Sequence, residues 1–330
     1  MKTDVSAGSA ARALYHEIWR TVSANFFAVE RLADWPKWEH CFDEEIIDQA
    51  SALACARRML TSLKDSYTEI VEAASTTAVG ELPGATAAAA AVEASPAAVT
   101  SFLTPSGIGY LRVLSFDHDS VAEEIAAAAA KIADCRGVLL DLRHNSGGRM
   151  HRAIEACGLF LENGLVATVD RRGEDVPVGV IRREYYLNDQ QFFCVETSPS
   201  GPQPAEMYER RPALLAGKPL VILIGRRTAS AAELFVAALV QNGIPGQVSL
   251  VGSDTAGKGI GQAIFELSGT TATLSITRSH WFAPGGDWLG DCGQTVREPI
   301  SPDVVVANDS GPEGLKIASD LLKELIGAVV

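Results

Sequence analysis

The chain has no pair of cysteines in C-x-x-C spacing and no run of 18 or more uncharged apolar residues. The first absence leaves a paired-cysteine zinc site or a thioredoxin-like redox motif without support. The second argues against any segment that must span a membrane. The six cysteines are scattered and several stand in apolar surroundings, which is typical of small buried side chains in a reducing compartment.

The chain also has fewer basic than acidic residues. Its 28 lysines and arginines and 41 aspartates and glutamates give a formal net charge of −13 at pH 7. This balance argues against nucleic acid as a partner, since binding to phosphates needs a basic face. The N-terminal stretch MKTDVSAGSAARALYHEIWR lacks the apolar core of a signal peptide. We therefore expect a cytoplasmic protein that binds neither nucleic acid nor membrane.

The length of 330 residues is enough for two domains. Apolar residues recur at helical spacing in the first part of the chain, which predicts an N-terminal helical domain over residues 1–75. Residues 76–98 are rich in Ala, Thr, Gly and Pro and are interpreted as a linker. In residues 99–330, strand-like runs alternate with helical patterns. This alternation predicts an α/β core with a mixed, mostly parallel sheet covered by helices.

One part of this core is hard to assign. Residues 173–216 contain many prolines and are predicted to be irregular or hairpin-like. The segment REYYLNDQQFF within them is interpreted either as a lid or substrate-facing wall, or as a plain surface hairpin. Farther on, the stretches GQAIFELSG and TATLSITRSHWF predict a second hairpin.

A single serine lies where a buried strand, PLVILIG, gives way to a helix, AAELFVAALVQN. Two interpretations stay open. In the first, SAAE is a capping box, with Ser230 as the helix cap and Glu233 as its partner. In the second, Ser230 is a nucleophile in a strained, exposed turn, where the free N–H groups of the helix start stabilise an oxyanion. A serine nucleophile also needs a base that takes its proton.

A glycine-rich stretch, VGSDTAGKGIGQ, offers such a base. Residues 252–258 fit the phosphate-loop pattern G-x-x-x-x-G-K, but Gly259 stands where Ser or Thr is required, and a strand-like pattern follows instead of a helix. Two alternatives remain, a turn with an exposed lysine, or Lys258 as a general base. Burial among groups such as Ala256 and Ile260 would shift the pKa of a lysine downward, as a base requires.

The third stretch, DLRHNSGG at residues 141–148, follows a short apolar strand and ends in two glycines. It is either an ordinary turn or a loop at the carboxyl edge of the sheet, whose N–H groups donate to an oxyanion. Asp141 and Arg143 could form an ion pair that fixes this loop. His144 and His280 lie near strand ends, so a Ser-His pairing also stays open. No His/Asp/Glu cluster has metal-ligand spacing, and we predict neither a metal nor a cofactor.

In their order along the chain, these stretches resemble the C-terminal processing (tail-specific) serine peptidases, a family that includes the retinoid-binding repeats of the eye. GVLLDLRHNSGG resembles the family's strand and loop ending in Asn-Pro-Gly-Gly, with Ser146 in place of proline. RTASAAELF resembles Ser-Ala-Ser-Ala-Ser-Glu, with Thr228 and Ala232 in place of the outer serines. DTAGKGIGQ resembles Thr-Phe-Gly-Lys-Gly-x-x-Gln. Two flanking stretches, ISPDVVV at 300–306 and LKDSYTEI at 63–70, resemble further segments of the family.

The resemblance implies a ClpP/crotonase-like α/β core with an N-terminal helical domain, and catalysis by a Ser-Lys dyad through an acyl-enzyme. It assigns Ser230 as the nucleophile, Lys258 as the general base and Gln262 as the residue that orients the base. The backbone amides that it implies as an oxyanion hole belong to Ala231 and to Gly147 or Gly148.

Most bacterial members carry a PDZ domain between the helical part and the core, and residues 76–98 leave no room for one. We therefore expect a member without a PDZ domain, an arrangement that resembles the retinoid-binding repeats. Because serine, lysine and glutamine are all present, we predict a serine hydrolase, foremost a peptidase, acting on a peptide or small acyl substrate. The alternatives are an acyl-transfer or cyclising enzyme with the same dyad and a non-catalytic binder of an apolar ligand. The sequence is compatible with a homo-oligomer.

Overall fold

The structure is a computed structural model, and it describes residues 4–72, 97–173, 179–198, 201–308 and 311–328. The chain divides into two compact units. The first contains residues 1–81, 170–182 and 260–280, and the second contains the rest. Of the predicted linker, residues 76–96 lie outside the described residues. The linker, the proposed domain limits and the expected absence of a PDZ domain therefore stay predictions.

Six α-helices and thirteen strands are assigned among the described residues. The helices are α1 (Asp4–Asn25), α2 (Gln49–Leu60), α3 (Val121–Lys131), α4 (Met150–Cys157), α5 (Ala231–Asn242) and α6 (Pro312–Ala328). The strands are β1 (Glu69–Val71), β2 (Val99–Leu103), β3 (Ile108–Val113), β4 (Gly137–Asp141), β5 (Gly164–Arg172), β6 (Val180–Leu187), β7 (Gln191–Ser198), β8 (Gly201–Glu209), β9 (Leu220–Ile224), β10 (Val248–Gly252), β11 (Ile260–Glu266), β12 (Thr273–Phe282) and β13 (Val304–Val305). None of these helices is long and apolar enough to cross a bilayer.

The first unit is built from the predicted N-terminal helices and the predicted second hairpin. The apolar stripe that predicted α1, formed by Leu14, Ile18 and Val22, is buried. It belongs to one apolar cluster with Leu274 and Ile276 of β12. β12 pairs in antiparallel fashion with both β1 and β11, which confirms the hairpin.

The second unit contains a six-stranded sheet in the order β13-β10-β9-β4-β3-β2. Its neighbouring strands are parallel except for β2 and β3, so the predicted mixed, mostly parallel sheet is confirmed. Side chains alternate along β4, so that Leu140 packs in the cluster with α3, α4 and α5, while Leu139 packs in the cluster with α6. Both faces of β4 are therefore covered, which explains its almost wholly apolar sequence.

The stretch that we predicted as irregular or hairpin-like, residues 173–216, contains β6, β7 and β8. β7 pairs with β8 in antiparallel fashion, so the hairpin alternative is correct. β8 lies at the end of its sheet and carries Pro202 and Pro204. Proline has no N–H to donate, so within a sheet it is tolerated on an edge strand, where one side of the strand has no partner. These prolines are the reason that the sequence did not predict β8 as a strand.

Candidate active site

Three loops of the second unit emerge at one edge of the parallel sheet. β4, β9 and β10 are neighbours and run parallel. They end at residues 141, 224 and 252, so the loops that follow them leave from their carboxyl ends. These loops hold the three stretches that the sequence singled out, at the edge where open α/β sheets bind ligands.

Thr228 links the three loops. Its buried hydroxyl donates to the carbonyl of Leu142 at 2.8 Å, and its own carbonyl accepts from the N–H of Ala256 at 3.0 Å. Next to it, the N–H of Ala229 donates to the carbonyl of Asn145 at 3.1 Å. The turn before α5 is therefore bonded on one side to the loop after β4 and on the other to the loop after β10.

Asp141 and Arg143 form the predicted ion pair at the start of the first loop. The guanidinium donates from Nη2 to Oδ2 of Asp141 at 2.6 Å and from Nε to Oδ1 at 2.9 Å, and Tyr110 donates its hydroxyl to Oδ2 at 2.9 Å. Burial alone would raise the pKa of Asp141, but the hydrogen bonds and charge of Arg143, with help from Tyr110, hold this pKa below its usual value. The pair stays charged and fixes the loop in a structural role.

The two glycines of the loop serve different purposes. Gly147 has φ = 101° and donates its N–H to Oδ1 of the buried Asn145 at 2.9 Å. A Cβ atom at Gly147 would lie 2.7 Å from the carbonyl oxygen of Ala229 and 3.0 Å from the nitrogen of Ala231. Gly148 is exposed at φ = 130°, and its N–H has no acceptor among the described residues. Gly147 thus allows the close approach of the loop to the serine turn, and Gly148 offers the available donor.

If this loop supplies an oxyanion donor, substitution of Gly147 by alanine is expected to lower kcat by about 10², the usual cost of losing one such donor, because the added Cβ pushes the loop away from the serine turn. Gly217 is the matched control, because its φ of 71° is also positive but a Cβ there meets nothing within 4 Å. G217A should lose about 1 kcal/mol of stability and keep full activity. Steady-state kinetics and thermal unfolding of both variants test this, and equal activity of G147A and the wild type contradicts it.

Ser230 has a strained backbone. Its φ of 54° and ψ of −121° lie in a region that costs a non-glycine residue about 1–3 kcal/mol, and strain of this kind is found at nucleophile turns between strand and helix. Its backbone N–H donates to Oε2 of Glu233 at 2.8 Å, as in a capping box. The two interpretations of Ser230 are therefore compatible, because the residue begins α5 and also lies in a strained turn. Ala231, the first residue of α5, has an N–H with no partner inside the helix.

Glu233 is the centre of the hydrogen-bond network. Its fully buried carboxylate accepts four hydrogen bonds, two at each oxygen. Oε2 accepts from the backbone N–H groups of Ser230 at 2.8 Å and Lys258 at 2.9 Å. Oε1 accepts from the hydroxyl of Thr255 at 2.5 Å and the N–H of Gly257 at 2.7 Å. One carboxylate oxygen thus joins the backbones of the predicted nucleophile and the predicted base, whose nitrogens lie at most about 5.7 Å apart.

Burial raises the pKa of Glu233, and the hydrogen bonds from Thr255 and from the three backbone amides offset only part of this effect. Sequence reasoning recognised Glu233 only as a capping partner. A signal for a larger role was present, since Glu233 is the only charged residue in α5, and nine of the twelve residues of that helix are buried. A buried carboxylate in such a helix requires partners from elsewhere in the chain.

Lys258 lies between two glycines that the local geometry requires. Gly257 has φ = 76°, and a Cβ at Gly259 would come within 2.7 Å of the Trp288 ring. The carbonyl of Lys258 accepts a hydrogen bond from Nε1 of Trp281 at 3.0 Å, and that of Gly259 accepts one from Nε1 of Trp288 at 2.9 Å. Gly259 therefore lets the backbone of this loop pass close to the Trp288 ring.

The remaining candidates are placed less directly. Gln262 lies at a bulge of β11 in the first unit, where its Nε2 is buried without a hydrogen-bond partner among the described residues. His144 is exposed, and His280 of the first unit stacks on Phe27 with ring centroids 4.1 Å apart. Within the described residues His144 is not hydrogen-bonded to Ser230, and the contact of the His280 ring with Phe27 does not support a pairing of Ser230 with His280. The role of Gln262 stays a prediction.

A cavity of about 730 Å³ lies beside α4, which begins two residues after Gly148. Aromatic side chains of β6 and β7 form part of its wall, among them Tyr185, Phe192 and Phe193, and Met150 of α4 faces them. The segment REYYLNDQQFF therefore lines a cavity, and its role as a lid or substrate-facing wall stays a prediction. Charged side chains complete the lining, among them Glu123, Arg152 and Glu206.

A serine in a strained turn before a helix, a glycine loop packed closely against that turn and a lysine whose backbone N–H shares a buried carboxylate with the serine fit the class of serine-type peptidases with an α/β core. Residues 107–306, more than half of the chain, match the model of Peptidase family S41, and the chain belongs to that family. The resemblance to the C-terminal processing peptidases seen in the sequence is thereby confirmed, and the likeness to the retinoid-binding repeats stays a prediction.

Two relatives give the extent of the similarity. The chain is 28% identical over 214 residues to the chloroplastic Carboxyl-terminal-processing peptidase 3 of Arabidopsis thaliana, which covers 63% of this chain and 34% of the relative. It is 29% identical over 193 residues to the Carboxy-terminal processing protease CtpA of Bacillus subtilis, which covers 58% of this chain and 34% of the relative. The chain thus spans about a third of the length of these relatives.

Solved structures show the same fold. The photosystem II D1 C-terminal processing protease superposes with a TM-score of 0.60 at 17% identity, over 92% of this chain and 96% of the other. A lipoprotein from Streptococcus agalactiae superposes with a TM-score of 0.63 at 15% identity, over 95% of this chain and 96% of the other. These matches confirm the predicted fold class.

Proposed function

We propose that the protein is a serine peptidase that hydrolyses peptide bonds with a Ser-Lys dyad, through an acyl-enzyme intermediate. The observation that carries the proposal is the carboxylate of Glu233, which accepts hydrogen bonds from the backbone N–H groups of both Ser230 and Lys258 through one oxygen. It holds a serine turn and a lysine loop, which are 28 positions apart in the sequence, next to each other in the fold. Membership of Peptidase family S41 supports the same chemistry.

In the proposed mechanism, the neutral amine of Lys258 takes the hydroxyl proton of Ser230 as Oγ attacks the carbonyl carbon. The carbonyl oxygen becomes an oxyanion and accepts hydrogen bonds from the N–H groups of Gly148 and Ala231. The ammonium of Lys258 then protonates the leaving amine, and an ester to Ser230 remains. Water attacks this ester in the same manner, with Lys258 again as the base, and releases the second product. Gln262 is proposed to orient Lys258.

Gly148 is preferred to Gly147 as the oxyanion donor. The N–H of Gly147 already donates to Oδ1 of Asn145, and its role is to let the loop approach the serine turn. Asn145 also donates from Nδ2 to the carbonyl of Val113 at 3.2 Å, which fixes the orientation of its amide. We propose that the loop holds the Gly148 amide in place before substrate arrives.

We propose a peptide as the substrate class. We propose that the aromatic and charged side chains of the cavity beside α4 contact the side chains of a peptide. The relatives are named for carboxyl-terminal processing, and we extend peptide cleavage, without a preferred end, to this chain. All six cysteines are free thiols, which supports the proposed cytoplasmic location.

Two measurements on the purified protein test the proposal. A fluorophosphonate probe should label the folded protein at Ser230, as identified in the modified peptide, and S230A should take up no label. Incubation with a peptide library should release products that carry one added water per cleaved bond. Cyclised or transferred products would favour the acyl-transfer alternative. The proposal that Ser230 is the nucleophile of a serine hydrolase would be refuted if the folded protein took up no label at Ser230 and if S230A gave the same products as the wild type.

The strain at Ser230 leads to a further prediction about stability. Both S230A and S230G remove the hydroxyl, but only glycine adopts φ = 54° without a steric cost. We expect S230G to be more stable than S230A by about 1 kcal/mol, after allowance for the greater freedom of glycine in the unfolded chain. Urea unfolding of the two variants measures the difference. A less stable S230G would mean that the turn is not strained.

A further inference from the structure

A cluster of possible metal ligands lies in the first unit and includes none of the residues of the proposed mechanism. It consists of His16 on α1 and of His40 and Asp43 on the segment between α1 and α2. Nε2 of His16 lies 3.5 Å from Oδ1 of Asp43, and Nδ1 of His40 lies 3.0 Å from Oδ2 of the same carboxylate. The ligand atoms of all three side chains lie within 4.8 Å of one another, and no other such group of three is found among the described residues.

One atom of this cluster lacks a partner. Oδ1 of Asp43 is buried and accepts no hydrogen bond, although the side chain as a whole is 37% exposed. Its neighbour at 3.5 Å is a ring nitrogen of His16, outside good hydrogen-bonding geometry. Buried carboxylate oxygens are nearly always satisfied, so an unsatisfied one directed at an imidazole nitrogen calls for an explanation. A cation held by both atoms provides it.

We propose that His16, His40 and Asp43 bind one divalent transition-metal ion of the zinc type. Zinc binds imidazole nitrogen and carboxylate oxygen at about 2.0–2.2 Å in a tetrahedron, so neighbouring ligand atoms are about 3.3–3.6 Å apart. The two contacts to Asp43, at 3.5 and 3.0 Å, are close to this spacing. Two imidazoles suit zinc, cobalt or nickel, whereas calcium and magnesium prefer ligand sets made only of oxygen.

The backbone around the cluster is already held in place. The hydroxyl of Tyr15, next to His16, donates to the carbonyl of Trp38 at 2.5 Å. The guanidinium of Arg12, one turn earlier on α1, donates to the carbonyl of Asp43 at 3.5 Å. These contacts fix the ligand-bearing segment against α1 without any metal. Binding then requires only small side-chain rotations, chiefly of the exposed His40.

The ion would join α1 to the 40–43 turn, and because it binds the folded chain it would stabilise the first unit. Sequence spacing did not reveal the site, since His16 and His40 are 24 positions apart and only the fold brings them together. The inference is independent of the proposed peptidase activity, which uses no residue of this cluster.

Calorimetric titration of the untagged, chelator-treated protein with Zn²⁺ tests the proposal, and Co²⁺ serves as a spectroscopic probe. We expect one ion per chain, and an absorption band of tetrahedral cobalt. H16A and D43N should each weaken binding by at least about 10-fold, whereas H118A, which removes a histidine of the second unit, should leave it unchanged. D43N is the safer variant for folding, because asparagine has the same shape as aspartate.

Two results would overturn the proposal. The first is binding no tighter than about 1 mM, the range of an adventitious ion. The second is binding that persists in H16A and D43N and disappears in C41S, because this would assign the ion to the exposed thiol of Cys41. Circular dichroism of each variant, measured without metal, shows whether a loss of binding comes from a loss of fold.

Discussion

Replacing Lys258 by alanine is expected to lower turnover by about 10⁴-fold and to leave the protein folded. A serine hydroxyl is a weak nucleophile until a base takes its proton, and a positioned general base contributes up to about 10⁴ in rate. The fold should persist, because the contacts that hold this segment come from its backbone. The N–H of Lys258 donates to Glu233 and its carbonyl accepts from Trp281, and alanine keeps both.

Two further variants separate the chemistry of the lysine from its charge. K258R keeps a positive charge but cannot lose its proton near neutral pH, so it should be as inactive as K258A. K131A, which removes an exposed lysine at the end of α3, should keep full activity. Peptide hydrolysis and the rate of fluorophosphonate labelling provide the readouts. Turnover by K258R close to the wild-type rate would show that Lys258 acts as a charge and not as a base.

Local patterns were sufficient for much of the second unit. The predicted helix AAELFVAALVQN coincides with α5, and the predicted buried strand PLVILIG contains β9, because a serine and a glycine mark their limits and their apolar residues are continuous. β8 was missed, because Pro202 and Pro204 interrupt its pattern, and only its position at a sheet edge makes them compatible with a strand. The pattern of apolar residues in a sequence predicts central strands well and edge strands poorly.

The site was predictable in its residue types but not in its connections. Ser230 and Lys258 stand out in the sequence because glycines and a capping signal surround them. The choice between Gly147 and Gly148 as a donor depends on the amide of Asn145, which no local pattern indicates. The central position of Glu233 depends on partners 22 to 25 residues away in the chain. Contacts of this kind are set by tertiary structure alone.

Replacing Glu233 by glutamine is expected to lower kcat by about 10² and the free energy of unfolding by about 2–4 kcal/mol. The carboxylate accepts hydrogen bonds at both oxygens, whereas the glutamine amide has one oxygen and one NH₂ group. The NH₂ group would face either the N–H groups of Ser230 and Lys258 or the hydroxyl of Thr255 and the N–H of Gly257. The hydroxyl of Thr255 can rotate and accept from the NH₂ group, so one or two buried donors would lack an acceptor, at about 1–3 kcal/mol each, and the serine turn and lysine loop would move apart.

The control is E313Q. Glu313 is an exposed glutamate in the first turn of another helix, α6. The substitution should alter stability by no more than about 0.5 kcal/mol and leave kcat unchanged. A role in positioning predicts that E233Q lowers kcat and the labelling rate of Ser230 much more than it changes KM. If the activity of E233Q fell only in proportion to the amount of folded protein, and the folded fraction had normal kinetics, Glu233 would have a purely structural role.

The pH dependence of stability gives an independent test of the buried charge. Because burial raises the pKa of Glu233 above its ordinary value of 4.5, the folded chain holds the proton more tightly than the unfolded chain. The stability that comes from this tighter proton binding is therefore fully present below pH 4.5, and it is lost as the pH rises through the raised pKa of the folded chain. E233Q cannot titrate at this position, so its stability lacks this pH dependence. The wild type should exceed E233Q in unfolding free energy by the largest margin below pH 4.5, and this margin should decrease as the pH rises through the raised pKa. A constant difference between the two proteins would mean that Glu233 has the same pKa in the folded and unfolded chain, and that its four hydrogen bonds fully offset its burial.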